Sequence, residues 1–389
     1  MRRVPIASRP EARQRLEAAG CHFAEMYGEP YMWETLPAPH AYELTGDDVD
    51  AIDAATRSLH DVALEVADRA ATDEASLARL SIPAHYRDAV VQSWGRGDAA
   101  LYQRMDLALD ERDGQWKLLE YNADTPTGAV EMNCYLEWWL DGVEQGLLPR
   151  DCEHYNDFRL RLTEYLERLD VPGVFYFAAA RGLVEEENTV EFLRRCADDG
   201  GIDTQFIYLD EIGTDDAHNL ADRDQLVIEN LFKLFPWEDI AEGPFANAMA
   251  RNTSCQLFEP TWKMMWSNKA FLVLAWEMFP GHPHLLPAYF DDELSTSRSH
   301  DVIKKPQWGR EGQNTAIVRA GAVETALGGE YADNRMIVQE LIELLAFDQR
   351  YPVFGSWVID HNPVGLLIRE DANRITSNLS TCLPHYYLP

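Results

Sequence analysis

Residues 117–128 read KLLEYNADTPTG. An apolar strand ends in a glutamate and an asparagine two positions apart, and a turn of Asp, Thr, Pro and Gly follows at once. Residues two apart on a strand share a face, so Glu120 and Asn122 point the same way. Upstream, ALYQRMDLALDERDGQW reads as a strand and an acidic turn containing Asp113-Gly114, completing a hairpin with KLLEYN. Tyr102, Arg104 and Asp106 share a face of the first strand, so the hairpin can bring both polar sets together. Two carboxylates and an amide suit a hard cation such as Mg2+, which prefers oxygen ligands and keeps water and phosphate in its shell. Arg104 is placed to meet a phosphate oxygen. The turn 123–128 offers backbone N–H groups beside a following helix. A simply solvated hairpin face, with Arg104 paired to Glu120, accounts for the same residues, and Asp124 also reads as a turn or cap residue.

Three further segments carry similar chemistry. IKKPQWGREGQN (303–314) puts lysines at the end of an apolar strand and then a turn with Gly309 and Gly312, where the backbone can approach a triphosphate closely. Neither GxxxxGK[ST] nor GxGxxG is present, and an ordinary surface loop fits the pattern too. Lys269, in SNKAFLVLAW, opens an apolar helix and needs a polar partner or solvent. Arg369, in LLIREDANRITSN, closes a strand, where it faces either a phosphate or its neighbours Glu370 and Asp371.

The rest of the chain bounds the setting. Its 389 residues are 46% hydrophobic, enough for one large domain or a few packed lobes. The net charge of −32 argues against nucleic acid and anionic membranes as partners. Acidic runs such as VEEENTVE (184–191) and LDEIGTDD (209–216) read as solvated faces. The six cysteines, Cys21, Cys134, Cys152, Cys196, Cys255 and Cys382, are scattered, consistent with reducing surroundings. No apolar stretch has membrane-spanning length and the start lacks a signal-peptide core, so a soluble, cytoplasmic protein is expected. Helices are expected at 10–26, 47–69 (capped by Thr45 or Asp47), 129–146, 186–199 and 269–278. Strands are expected in GVFYFAAA, TQFIYLDEI, 225–235, PVFGSWVID and VGLLIRED, giving an α/β fold. The tryptophans at 137–139 and 262–276 read as core. GHPH (281–284) reads as a loop and Cys21-His22 as structural.

Taken in order, YQRMDLAL, KLLEYNADTPTG, WSNKA, KKPQWGREGQN and IREDANRITSN resemble the glutathionylspermidine synthase family, in its synthetase portion, over most of the chain. The resemblance implies an ATP-grasp fold with circularly permuted nucleotide elements. It also implies an ATP- and Mg2+-dependent ligase joining a carboxylate to an amine through an acyl-phosphate. Carried over by residue, Arg104 meets the acyl-phosphate, and Asp106, Glu120 and Asn122 are magnesium ligands. Lys269, Lys305 and Arg369 contact phosphates, the Gly309–Gly312 loop closes over them, and Glu340 lies near the adenine or ribose. A single ligase unit over 1–389 is expected, with no amidase domain ahead of it. The alternatives are an ATP-dependent phosphotransferase and a non-catalytic nucleotide-binding or interaction protein. The expected partners are small-molecule or peptide carboxylates and amines.

Overall fold

The computed structural model describes residues 1–217, 219–251, 254–294 and 301–389. The hairpin forms from Gln103–Leu109 and Trp116–Asn122, with Arg104 opposite Asn122 and Asp106 opposite Glu120. The register then shifts, Leu107 facing Leu118, so that Leu119 is an extra residue. This bulge keeps the polar pair on one face while Leu107 and Leu118 stay buried.

The hairpin edges a five-stranded antiparallel sheet. Tyr351–Ile359 pairs with Gln103–Leu109, Asn362–Asp371 comes next, and Thr381–Leu383 lies outermost. The two long tail strands thus form as expected, PVFGSWVID shifted by one residue and VGLLIRED extended by two at its start. A four-stranded parallel sheet runs Gln256–Phe258, Asn230–Lys233, Phe175–Ala179, Thr204–Tyr208, with helix Val184–Asp199 packed against it. An antiparallel sheet of five strands contains Val302–Pro306 next to Met336–Glu340. A smaller sheet joins Arg2–Pro5, His40–Thr45 and the terminal His385–Leu388.

Local chemistry sets the helix ends. Gly46–Ala71 is capped by Thr45, whose hydroxyl accepts the Asp48 N–H while Asp48 accepts the Thr45 N–H. The expected helix at 10–26 is only Ala12–Ala18. Gly20, at φ +99°, turns the chain out of the helix, and short strands at Glu25–Met26 and Glu29–Pro30 follow. Ala270–Met278 has buried residues around its whole circumference as far as Ala275, as an all-apolar helix must. Trp266 stacks on Tyr121 of the hairpin at 5.3 Å, and Trp262 meets Trp266 edge-on at 4.7 Å. These tryptophans are core, as is Trp138. All six cysteines are buried. Among the described residues no helix is long and apolar enough to cross a membrane.

Two buried lysines fix the hairpin's end to the parallel sheet. Lys233 Nζ lies 2.7 Å from Asp124 Oδ1, and the other Asp124 oxygen accepts the Trp237 N–H at 2.8 Å. Lys263 Nζ donates to Tyr102 O (3.0 Å), Gln103 Oε1 (2.8 Å) and Ala123 O (2.8 Å), and is 3.0 Å from Glu259. Glu259 in turn accepts the N–H groups of Leu101 and Tyr102. Removing one member of a buried pair strands the other's charge. Lys233→Met is therefore expected to lower unfolding free energy by about 3 kcal/mol. Lys233→Met/Asp124→Asn should recover part of that loss; urea unfolding of the two variants measures both.

Candidate active site

The hairpin's polar end opens on a cavity of about 210 Å³. Arg104, Asp106, Glu120 and Asn122 line it, with the turn 123–127, residues 308–312 of the glycine loop and Arg369. Asp106 is the hub. It accepts from Arg104 Nε at 2.7 Å, Arg369 Nη2 at 2.9 Å and Asn122 Nδ2 at 3.2 Å. Burial alone would raise its pKa, but Arg104 and then Arg369 reverse this and hold it below the usual carboxylate range. Arg369 thus reaches across the sheet rather than pairing with Glu370 or Asp371. Arg104 likewise turns to Asp106, not to Glu120, and also donates to the Thr127 carbonyl. It has room because Gly355 lies opposite Asp106: a Cβ there would sit 2.7 Å from Arg104 Cδ.

Glu120 meets Lys269, whose Nζ is 2.7 Å from Glu120 Oε1 and donates to Gly309 O at 2.7 Å. One buried ammonium therefore joins hairpin and glycine loop, and Lys269 is not a surface lysine. Lys305 Nζ donates to Gln339 Oε1 and to Leu119 O, the carbonyl at the bulge, each at 2.8 Å. Lys269 and Lys305 line a second cavity of about 70 Å³, which shares Asp106, Glu120, Gly309 and Gly312 with the first. Burial lowers Lys305 to about 8, against the attraction of Glu120. Lys304 points elsewhere, to Asp291 at 2.8 Å. Gly312 adopts φ +69°, and a Cβ would come within 2.4 Å of Thr376 O.

Of the candidate residues, Glu340 stands apart. It ends its strand opposite Val302, faces Arg112 at 3.6 Å and lines neither cavity. The GHPH loop packs on the hairpin: His284 Nδ1 is 2.9 Å from Trp116 O, and His282 Nε2 is 3.1 Å from Ser58 Oγ.

The run VEEENTVE departs from its expected role as a solvated face. Glu185 and Glu186 begin helix Val184–Asp199 and line the cavity, with Glu238 nearby. Burial raises all three, Glu186 to about 7, although Arg310 sits 2.9 Å from Glu238 and opposes the rise there. A signal was available: these acids follow a buried parallel strand, and ligands of α/β sheets gather beyond the carboxyl ends of such strands. Lys233, Lys263 and Glu259 carried no comparable pattern.

The oxygen donors Asp106, Glu120 and Asn122 match the preferences of Mg2+. Among the described residues no three His, Cys, Asp or Glu side chains form a preformed metal cage.

The α/β architecture is that of glutathione synthetase-like, ATP-grasp-type proteins. It superposes on a solved glutathione synthetase-like effector from Globodera pallida, in its apo form, with a TM-score of 0.53, 12% identity and 96% of each chain covered. The family model described as glutathionylspermidine synthase preATP-grasp matches residues 3–388, and the chain belongs to that family. It is 31% identical, over 100% of both chains, to a provisionally named acid–amine ligase of Haemophilus influenzae. It is 27% identical to trypanothione synthetase of Crithidia fasciculata, over 82% of this chain and 52% of that one. It is also 27% identical to the bifunctional glutathionylspermidine synthetase/amidase of Escherichia coli, over 89% of this chain and 59% of that one. The chain is accordingly an enzyme of the carbon–nitrogen ligase class.

The contact at Gly312 yields a test. Gly312→Ala should strain the folded loop by about 1–2 kcal/mol, and urea unfolding of the variant beside the unaltered protein checks it.

Proposed function

We propose that this chain is an ATP- and Mg2+-dependent ligase that activates a carboxylate as an acyl-phosphate and transfers the acyl group to a cationic amine. The observation that carries the reading is Lys269, which touches Glu120 of the hairpin and Gly309 of the glycine loop and so joins two adjoining polar cavities.

ATP's phosphates would lie between the hairpin and the glycine loop, met by Lys269, Lys305 and Arg369. Asp106, Glu120 and Asn122 would hold Mg2+, which offsets phosphate charge when bound. The substrate carboxylate attacks the γ-phosphorus, forming the acyl-phosphate and releasing ADP. Arg104 stabilises charge on the transferring group. An amine then attacks the acyl carbon, the C–O bond to phosphate breaks, and an amide and inorganic phosphate leave. Closure of the Gly309–Gly312 loop limits hydrolysis of the intermediate. The wall of Glu185, Glu186 and Glu238 supports a cationic amine as acceptor, and so favours ligation over phosphotransfer that stops at a phosphorylated product. Glutathione and spermidine are candidate substrates through the names of the relatives.

ADP release with Mg2+ and ATP, screened over small acids, peptides and amines with product mass read in parallel, tests the reading. ADP accompanied by a condensed product is expected; a phosphorylated acid that ignores every amine would replace ligase by phosphotransferase. Arg104→Ala should cut turnover by roughly 10²–10³-fold, with circular dichroism unchanged. Lys305, near 8, is charged below that pH and neutral above it. ATP affinity should thus fall as pH rises through 8, with proton uptake on binding in that range. Calorimetry in buffers of different ionisation enthalpy reads this, and the uptake should vanish in Lys305→Met.

A further inference from the structure

An alkylamine is a cation at neutral pH, yet it must react as a neutral nucleophile. Glu185 and Glu186 favour its charged form, so they attract it but oppose loss of its proton. The proton is better taken by a group that does not itself pair with the ammonium.

Tyr31 lines the same cavity, and its hydroxyl donates to Glu131 Oε1 at 2.7 Å. Glu131 lies in the first turn of helix Ala129–Glu144 and is 0% exposed. Its second oxygen, Oε2, is buried with no hydrogen-bond partner. No ion pair reaches Glu131 among the described residues: the nearby Arg104 is engaged with Asp106 and Thr127 O. A buried carboxyl left half satisfied is costly, and such a group calls for a reason. Its other neighbours are Tyr135, Cys134 and Cys382 on the core side and Glu185 on the cavity side. Burial, then repulsion from Glu185, raises Glu131 to about 7, where a general base works best at neutral pH. Burial also holds the Tyr31 hydroxyl well above its ordinary value, so it does not ionise alone. It can pass a proton on only while receiving another. Glu185 meanwhile lies beside Thr127, whose carbonyl takes Arg104, so the acidic wall and the Arg104 side meet at one residue.

We propose that Tyr31 and Glu131 form a proton relay that deprotonates the attacking amine, with Tyr31 touching the nitrogen and Glu131 the final acceptor. This rests on the ligase reading and supplies the base it lacks. The ammonium gives one proton to the Tyr31 oxygen as Tyr31 gives its own to Glu131. The nitrogen lone pair forms the N–C bond, and the C–O bond to phosphate breaks. The second N–H proton leaves with the phosphate as HPO4(2−), and Glu131 returns its proton to solvent after product release.

Glu131→Gln keeps a side-chain carbonyl for Tyr31 to donate to but cannot take the proton; Tyr31→Phe keeps the ring and removes the hydroxyl. The assay pairs spermidine, a cation at neutral pH, with hydroxylamine, which is largely unprotonated there. The acids are glutathione and any acid active in the ADP screen. Both variants should lose on the order of 10²-fold in kcat with spermidine. The rise of wild-type rate with pH through about 7 should disappear in Glu131→Gln. Hydroxamate formation should stay within about threefold of wild type, because a neutral amine bypasses the base. Infrared titration of the substrate-free protein should show carboxylic acid absorption near neutrality, part of it from Glu186, and Glu131→Gln should remove the Glu131 component. Equal losses with both amines, or infrared titrations of wild type and Glu131→Gln that coincide near neutrality, would overturn the relay and leave the ligase reading intact. No amide and no hydroxamate from wild type with any acid would overturn the ligase reading and the relay with it.

Discussion

The turn 123–128 is held from beneath by two buried ammonium groups, and the site depends on that hold. Lys233 grips the Asp124 carboxylate, while Lys263 gathers the carbonyls of Tyr102 and Ala123. Both bring charge into the core, where it is tolerable only because each lysine is surrounded by acceptors. In return the turn cannot drift from the carboxyl ends of the parallel strands. Arg104 finds the Thr127 carbonyl where it does because that turn is pinned, and Asp106 is oriented by Arg104 in turn.

Much of this was legible in the sequence, and what was legible shares a cause. Alternation along a strand is a local property, so the common face of Arg104 and Asp106, and that of Glu120 and Asn122, could be read from spacing. So could the helix cap at Thr45 and the long strands of the tail. What spacing cannot supply is the identity of whatever lies opposite. Arg369 could be seen closing a strand, but not that it reaches Asp106 from a position 263 residues away. Glu185 and Glu186 carried the same ambiguity: three acids opening a helix look alike whether they face water or a cavity. Gly20, which shortens the first helix, was a local signal and was readable as such.

The distribution of charge is as telling as its sum. With 66 acidic and 34 basic side chains, most of the surface is negative, yet the bases that matter most are inside. Lys233, Lys263, Lys269 and Lys305 are all buried and all surround the hairpin. Arg104, Lys269, Lys305 and Arg369 gather about the hairpin, while Glu185, Glu186 and Glu238 line the same cavity mouth. A cavity that carries both kinds of charge can attract an anion and a cation alike.

The bulge at Leu119 bears on how this protein can change over time. It acts as a phase shift in the hairpin, separating a distal half written for the core from a proximal half written for chemistry. Strand parity is unforgiving, since a one-residue slip turns every side chain to the other face. Lengthening the solvent-side turn around Asp113 leaves that phase untouched, and that end of the hairpin is free to vary among descendants. Loss of a single residue at the bulge would force either Leu118 out of the core or Glu120 out of the cavity. The hairpin is therefore evolvable at one end and frozen at the other, and the boundary between the two is one residue wide.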